Sequence, residues 1–256
     1  MNRFEQAFNT TKKLLSIYIT AGYPKLNDTV PVLKKLQDAG VDIIEIGMPF
    51  SDPLADGETI QKSSQAALEN GMSIANLFEQ LAGVREHIHI PLVLMGYLNP
   101  VLKYGIEQFC AQCEAIGIDG LILPDLPIEF YQDHYAALFK KHGLSYIGLI
   151  TPQTPPERIQ KIAKASAGFV YLVSSASTTG NIKEFGDEQA QFFSRINALK
   201  LEIPTMVGFG VKDKVSFERA TQYANGAIIG SAFIKHCKEN GSSEQVIKDF
   251  VKRIQV

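Results

Sequence analysis

Among the carboxylates in residues 42–61 (DIIEIGMPFSDPLADGETIQ), Glu45 and Asp56 lie in different surroundings. Glu45 interrupts an apolar run with β-branched residues, which predicts a buried strand. Asp56 lies in the following loop, which is rich in Pro, Ser, Asp and Gly. Burial disfavours a charged carboxyl and raises its pKa, so an acid inside a strand needs polar partners or a chemical role. Two acids in unlike environments can have separated pKa values, so that one donates protons and the other stays anionic.

Each acid also has a structural interpretation. Glu45 could be held by hydrogen bonds inside a barrel, and Asp56, within Ala-Asp-Gly, could be a turn or cap residue. Asp125, at the end of a later predicted strand, is a third candidate, although its Pro-Asp-Leu-Pro context favours a turn. The position of Glu45 in a strand favours the chemical role for that residue.

Small residues follow two successive predicted strands late in the chain. Gly208 and Gly210 belong to a GFG motif after one strand, and Gly230 and Ser231 follow the next. Glycines let backbone N–H groups approach an anion closely, and helix N-termini add a favourable dipole, so these strand ends predict a phosphate site. The same glycines would also suit tight turns. The long polar loop 174–186 is either a mobile surface loop or a lid over the phosphate.

The residues that commonly bind metals or cofactors are poorly placed for those roles. Cys110 and Cys113 form a CxxC inside a helical pattern, which favours buried thiols over a metal or redox site. The five histidines precede a strand or fall in helices and helix ends, and we expect them at the surface. No motif of a nicotinamide, flavin or P-loop site occurs, and no lysine is placed clearly enough for a Schiff base. We expect no metal and no cofactor in this chain.

Composition limits the class of protein. The chain has 256 residues, 45% of them hydrophobic and 20% charged, and its net charge of −2 gives no reason to expect nucleic acid or an anionic membrane as partner. No apolar run approaches the roughly 20 residues of a membrane span, and the first residues contain no apolar core of a secretory signal. Three cysteines, an odd number, suit a reducing compartment. We therefore expect a cytoplasmic protein of one domain (1–256) that acts on a small molecule.

The elements that must position these residues repeat regularly. Apolar runs predict eight strands, at residues 14–20, 42–47, 91–97, 117–125, 145–150, 168–174, 204–209 and 226–230. Helical spacing of apolar residues, Pro starts and Gly stops predict helices at 3–8, 30–36, 58–70, 74–86, 106–116, 129–141, 155–165, 187–199, 213–223 and 243–254.

Apolar strands without alternation are typical of a parallel sheet that is covered on both faces. Eight strand–helix units in about 250 residues predict a (β/α)8 TIM barrel, with an extra N-terminal helix and an extra helical segment after the second strand. A doubly wound open sheet is the alternative. No GxGxxG follows the first strand and the repeat continues to the end, which favours the barrel.

Several long motifs resemble those of one family. EIGMPFSDPLADGETIQ (45–61) closely resembles the signature of tryptophan synthase alpha subunits, and the similarity extends to RFEQAF, YITAGYP, LPDLPIE, GFG and GSA. The resemblance implies a barrel that cleaves indole-3-glycerol phosphate into indole and glyceraldehyde 3-phosphate in tryptophan biosynthesis. It also implies a beta subunit that carries pyridoxal phosphate and receives the indole, in an alpha2-beta2 heterotetramer, and no cofactor in the alpha subunit itself.

The resemblance assigns roles by position. Glu45 matches the acid-base residue that protonates indole C3 and helps remove the proton of the glyceryl hydroxyl, and Asp56 matches the acid that stabilises positive charge on the indole nitrogen. Thr179 matches a lid threonine that positions the aspartate. The phosphate and lid positions are matched by Gly180, Gly208, Gly210, Gly230 and Ser231. The apolar wall around the indole is matched by Tyr18, Met95, Ile122, Leu149, Tyr171 and Phe209.

The lid departs from the family pattern. Many members carry SRxGVTG where this chain has SSASTTG, so Ser175 replaces the usual arginine and Ser177 the usual glycine. This difference concerns closure of the lid and its coupling to a partner. Two alternatives remain: a stand-alone lyase with the same chemistry, and a non-catalytic barrel that activates the beta subunit, which the presence of both acids disfavours.

Overall fold

The strands form one parallel sheet. The computed structural model describes residues 2–173 and 187–255. Within these residues the sheet has nine strands: β1 (Leu14–Thr20), β2 (Ile43–Gly47), β3 (Leu92–Met95), β4 (Gly120–Ile122), β5 (Ser145–Tyr146), β6 (Leu149–Ile150), β7 (Val170–Val173), β8 (Thr205–Gly208) and β9 (Gly226–Ile229). Their spatial order is β5-β4-β3-β2-β1-β9-β8-β7-β6. All residues of β1–β4 and β7–β9 are buried, as expected for a parallel sheet covered on both faces.

The predicted fifth strand, 145–150, is split into β5 and β6, which lie at the two ends of this order. Between them, the Ile147 N–H donates to the Leu121 carbonyl (3.0 Å), and the Gly148 carbonyl accepts from the Tyr171 N–H (3.0 Å). The segment therefore joins β4 to β7 and closes the sheet into a barrel, as predicted. The strand is interrupted because the Gly148 N–H donates instead to Ser166 Oγ (3.1 Å).

Helices surround the barrel. The α-helices among the described residues are Arg3–Phe8, Thr29–Asp38, Glu58–Glu69, Ile74–Leu81, Leu98–Tyr104, Ile106–Ile116, Ile128–Phe130, Ala136–Lys141, Pro156–Ala165, Asp187–Ala198, Lys214–Thr221, Ser231–Asn240 and Glu244–Gln255. Short 3₁₀ segments span Leu26–Asp28 and Val84–Glu86, and a π-helical turn spans Tyr131–Tyr135. No helix in the described part is long and apolar enough to cross a membrane.

Four helical regions differ from the sequence prediction. Leu98–Tyr104 was not predicted; its Pro100 lies in the first turn, where a proline costs no intrahelical hydrogen bond. Ser231–Asn240 was missed because its start was assigned only to a phosphate loop. The predicted helix 74–86 ends at Leu81, before Gly83 adopts a left-handed φ of 73°. The predicted helix 129–141 is continuous but contains the π-helical turn.

The strands separate two apolar layers. On β1, Leu14 and Tyr18 point into the barrel, whereas Leu15, Ile17 and Ile19 belong to the larger cluster between sheet and helices. This alternation places Glu45 of β2 on the inner side, since its Cα pairs with that of Tyr18. Ser16 lies on the same inner face, two residues before Tyr18.

The rim at the N-terminal ends of β3 and β4 is held by a network around Asp119. Asp119 accepts hydrogen bonds from Arg85, from Arg3 (2.9 Å) and from the Leu92 N–H (2.8 Å). Arg85 also donates to the carbonyls of Gly117 and Ile90 (both 2.7 Å at their shortest). Its guanidinium is mostly shielded from water, so the network fixes this rim at the end of the barrel opposite the strand ends that carry the predicted site.

Replacing Asp119 with Ala should lower the free energy of unfolding by about 2–3 kcal/mol, because it leaves the shielded Arg85 without its carboxylate. Chemical denaturation of the purified chain measures the effect. The exposed pair Glu58–Lys62 provides the control, since loss of the Glu58 carboxylate should have no measurable effect. Equal effects of the two substitutions would contradict a structural role for the rim network.

Candidate active site

Glu45 lies inside the barrel in the middle of β2. Its Cα pairs with Tyr18 on one side and with Val93 on the other, and its side chain is completely buried. Oε1 accepts a hydrogen bond from Ser16 Oγ (3.3 Å), whereas Oε2 has no hydrogen-bond partner among the described residues. Burial raises the pKa of Glu45 to about 8, and the Ser16 hydroxyl opposes this shift. At neutral pH the carboxyl is therefore mainly protonated.

Asp56 lies on the loop between the end of β2 and the helix Glu58–Glu69. Its Oδ2 accepts a hydrogen bond from the Tyr97 hydroxyl (3.0 Å), and the same hydroxyl oxygen accepts from the Ala55 N–H (2.9 Å). The Asp56 N–H donates to the Pro53 carbonyl (3.1 Å), which makes a tight turn. Burial raises the pKa of Asp56 to about 6, and the bond from Tyr97 lowers it. At neutral pH this carboxyl is therefore mainly ionised.

The two acids face the same pair of phenols. Burial is the main reason why the pKa of Tyr18 is raised, and the charges of Asp56 and Glu45 raise it further. The pKa of Tyr171 is raised by burial first, then by Glu45 and Asp56. Both carboxyls therefore lie within electrostatic reach of both rings. A protonated acid and an anion near the same two rings are an arrangement from which acid catalysis and charge stabilisation can act on one ligand.

The six residues predicted to form an indole wall belong to one cluster inside the barrel. Tyr18, Met95, Ile122 and Tyr171 are buried in it, and Leu149 and Phe209 pack against it and are partly buried. The ring centroids of Tyr171 and Phe209 are 6.1 Å apart in an edge-to-face arrangement. A pocket opens beside Asp56, lined by Tyr18, Met48, Phe50, Pro53, Asp56, Ser64, Met95, Gly96, Tyr97 and Pro124.

Two glycines leave room for the phenols. A side chain at Gly47 would overlap the Tyr18 hydroxyl, and one at Gly208 would overlap the Tyr171 hydroxyl. Gly208 was predicted from the sequence as a phosphate contact. Its position at the end of β8 is compatible with that role, but its lack of a side chain is already required by Tyr171.

The strand ends of β8 and β9 lie side by side, since Met206 pairs with Gly226 and Val207 with Ala227. After β8, Phe209 and Gly210 have φ values of 63° and 77°, which form a sharp turn. After β9, the Ile234 N–H donates to the Gly230 carbonyl (3.0 Å), the first hydrogen bond of the helix Ser231–Asn240. The first N–H groups of this helix consequently have no intrahelical acceptor, which is the usual basis of an anion site.

Other predicted residues lie elsewhere. Thr179, Gly180 and the whole loop 174–186 lie outside the described residues. Asp125 is exposed and accepts from the Leu98 N–H (2.9 and 3.0 Å), so it caps the helix Leu98–Tyr104 rather than joining the two acids. Cys110 and Cys113 are buried thiols, as predicted, and burial raises the pKa of Cys110 to about 11.

The remaining metal-binding candidates agree with the sequence analysis only in part. His87, His89 and His134 are exposed, as expected, but His142 and His236 are partly buried. His142 Nδ1 lies 2.7 Å from Glu114 Oε2, which explains its partial burial. In the described part of the chain, no group of three or more His, Cys, Asp or Glu side chains is arranged to hold a metal ion.

Sequence reasoning missed the two hydroxyls that contact the acids. Tyr97 was assigned only to the end of the third strand, and Ser16 only to the interior of the first. Ser16 could have been noticed because it is a polar residue two positions before Tyr18, on the same face of a strand. Its contact with Glu45 could not, since that depends on the register of β1 against β2.

Comparison with known proteins identifies close relatives. The profile of the family described as "Tryptophan synthase alpha chain" matches residues 4–255. The tryptophan synthase alpha chain of Christiangramia forsetii is 56% identical over 255 residues, which cover 100% of this chain and 99% of that protein. That of Bacteroides thetaiotaomicron is 48% identical over 256 residues, covering 98% of this chain and 100% of that protein.

Solved structures agree with these relatives. The tryptophan synthase subunit alpha of Legionella pneumophila str. Paris has a TM-score of 0.89 at 32% identity, covering 100% of this chain and 97% of that chain. A chain of tryptophan synthase from M. tuberculosis in an aminoacrylate-bound form has a TM-score of 0.86 at 30% identity, covering 100% of this chain and 98% of that chain. Sequence and fold therefore match these proteins over their full length.

Glu45→Gln should become more stable, relative to the unmodified chain, as pH rises. Since folding raises the pKa of Glu45 from 4.5 to about 8, the folded state holds a proton that the unfolded state releases above pH 4.5, and stability falls as pH rises towards 8. Gln cannot ionise. The difference in unfolding free energy should thus grow by about 2–4 kcal/mol between pH 5 and pH 8.

Urea denaturation at each pH measures this difference. Glu58→Gln is the control, because Glu58 is exposed and its pKa is lowered, chiefly by the hydrogen bond from Lys62, rather than raised. Parallel stability curves for Glu45→Gln and the unmodified chain would contradict a buried, protonated Glu45.

Proposed function

The chain belongs to the tryptophan synthase alpha chain family, lyases that cleave indole-3-glycerol phosphate to indole and glyceraldehyde 3-phosphate, and we propose that Glu45 and Asp56 carry out this cleavage. One observation carries the assignment: two carboxyls within electrostatic reach of the same two phenols have pKa values of about 8 and about 6, on opposite sides of neutrality. The reaction needs one proton donor and one anion, and these values supply both at once.

In the first step, protonated Glu45 donates its proton to indole C3, the carbon that is bonded to the glyceryl chain. The ring then carries a positive charge shared with the indole nitrogen. Asp56, ionised and held by Tyr97, stabilises this charge through the ring N–H. Preorganised charges of this kind act strongly in a site shielded from water.

In the second step, the carbon–carbon bond between the indole and the glyceryl carbon breaks. The adjacent hydroxyl gives its proton to the Glu45 carboxylate, its oxygen forms the aldehyde double bond, and the electrons of the broken bond return to the indole ring. Glu45 is again protonated, so each turnover needs no external acid or base.

Substrate binding follows from the same geometry. We assign the indole to the inner wall of Tyr18, Met95, Ile122, Leu149, Tyr171 and Phe209. The phosphate would lie at the adjoining ends of β8 and β9, with Gly208, Gly210, Gly230 and Ser231 around it. The helix Ser231–Asn240 directs its first N–H groups there, which supports an anion at this end. Thr179 and Gly180 would complete the site as lid residues, by resemblance to the family.

We further propose that residues 1–256 form one barrel domain that acts in the cytoplasm with a tryptophan synthase beta subunit, as an alpha2-beta2 heterotetramer. Family membership implies the beta-subunit partner. Pyridoxal phosphate would belong to that partner, where it would supply the chemistry that consumes indole. Leu54, which is 86% exposed on the loop that carries Asp56, gives this loop an apolar residue for a protein contact.

Glu45→Gln should reduce indole release at least 10³-fold, because the transferred proton is lost, and Asp56→Asn should cost about 10²-fold, because only charge stabilisation is lost. Steady-state release of indole, measured with and without a beta subunit, gives both values and shows whether the chain also works alone. Glu58→Gln is the matched control, because it makes the same replacement of Glu by Gln at an exposed acid two residues after Asp56. Turnover of Glu45→Gln within tenfold of that control would refute the assignment.

The pH dependence of kcat/KM, which reports the pKa values of the enzyme without substrate, should be bell-shaped. Activity should rise through about pH 6 as Asp56 ionises and fall through about pH 8 as Glu45 loses its proton. The substrate phosphate also titrates near pH 6. Asp56→Asn separates the two origins: its residual activity should lack the acidic limb. An acidic limb that persists unchanged in Asp56→Asn would assign it to the phosphate and contradict the role of Asp56.

A further inference from the structure

Ser16 is a buried polar residue that the reaction described above does not use. It lies on the inner face of β1 and has no exposed surface. Its hydroxyl lies 3.3 Å from Glu45 Oε1, and no other hydrogen-bond partner of this hydroxyl occurs among the described residues. This distance is long for a bond between two oxygens, as is common for catalytic hydrogen bonds before substrate binds.

The hydrogen bond makes the two oxygens of Glu45 inequivalent. A serine hydroxyl has one hydrogen, and Oε1 is the acceptor within its reach. With the Ser16 hydroxyl as the donor, Oε1 is the carbonyl-type oxygen of the neutral carboxyl and the acidic proton is on Oε2. Oε2 is the oxygen without a hydrogen-bond partner among the described residues. The proton is therefore on the oxygen that no protein group in the described part of the chain engages.

The other groups around Glu45 do not compete for this role. Tyr18 on β1 and Tyr171 on β7 face it as phenols whose pKa values are raised, so both are uncharged at neutral pH. Asp56 faces the same phenols from the loop after β2, and β3 contributes the apolar Val93 beside Glu45. No cation contributes to the pKa of Glu45 in the described part of the chain.

We propose that Ser16 is a positioning residue that engages Oε1 of Glu45 and thereby turns Oε2, with its proton, towards the reacting carbon of the substrate. This inference rests on the proposed role of Glu45 as the proton donor. Once the proton has left, the Ser16 hydroxyl also stabilises the Glu45 carboxylate until it takes up the hydroxyl proton. Ser16 lies two positions nearer the N-terminal end of its strand than Tyr18, the residue that pairs with Glu45. The predicted substrate site is at the opposite ends of the strands, so loss of the Ser16 hydroxyl should affect proton transfer rather than substrate binding.

Thr and Val at position 16 provide a matched pair, because they have nearly the same shape and differ in one hydroxyl. Ser16→Val should lower kcat about tenfold or more with KM changed less than threefold, and Ser16→Thr should retain kcat within about threefold. The basic limb of the pH profile should move upward by about one pH unit in Ser16→Val, because the carboxylate has lost its donor, and should stay in place in Ser16→Thr. Thermal unfolding verifies that both variants fold.

Infrared spectroscopy tests the contact without relying on turnover. The carbonyl stretch of the protonated Glu45 carboxyl is assigned by its absence in Glu45→Gln. It should move to higher frequency in Ser16→Val and in Ser16→Ala, where Oε1 has lost its donor, and remain in place in Ser16→Thr. Equal kcat values for the Thr and Val variants, or a band that does not move, would overturn the proposal. Normal turnover in Glu45→Gln would instead refute the proposed function, and the band shift would still report on Ser16.

Discussion

Glu45 is enclosed by the apolar side chains of the barrel interior, with one hydrogen bond from Ser16 and no cation contributing to its pKa in the described part of the chain. A carboxyl in this environment is more stable when neutral. The barrel interior excludes the water that would hydrogen-bond to a carboxylate and supplies fewer hydrogen bonds in its place. Tyr18 and Tyr171 fit into the same interior only because Gly47 and Gly208 have no side chains. The two phenols and their glycines therefore determine the shape of the barrel interior near the uncharged acid.

The second acid depends on a different type of support. Asp56 is not part of a strand, and its place is set by a short loop and by the Tyr97 hydroxyl, which contacts both its carboxylate and the Ala55 N–H. One acid is thus fixed by the sheet and the other by a loop outside it. The geometry of the two carboxyls therefore depends on two independent parts of the structure.

The sequence predicted the barrel and most of its strands, because buried parallel strands, prolines and glycines leave local patterns. It could not predict which side chains meet across strands. The contact of Ser16 with Glu45 depends on register, and that of Tyr97 with Asp56 depends on how a loop folds over β3. The split of the fifth strand was also invisible, because it arises from a hydrogen bond between Gly148 and Ser166, the residue that follows the helix Pro156–Ala165. The role of Asp125 was ambiguous for the same reason, since its acceptor function for Leu98 is a long-range contact.

The interrupted fifth strand has a mechanical consequence. β5 has two paired positions with β4, and β6 has two with β7, whereas β1 has five with β2. The region around β5 and β6, called the seam here, therefore has few paired positions. In the order of the sheet, it lies across the barrel from β1. A sheet deforms most easily where the fewest hydrogen bonds join neighbouring strands, so small changes in the width of the barrel should occur at this seam. Leu149, a wall residue, begins β6 at the seam, and Tyr18 lies on the stiff side. The interior of the barrel would then adjust its width to a flat ring by moving the Leu149 side, while the side that carries Glu45 stays rigid.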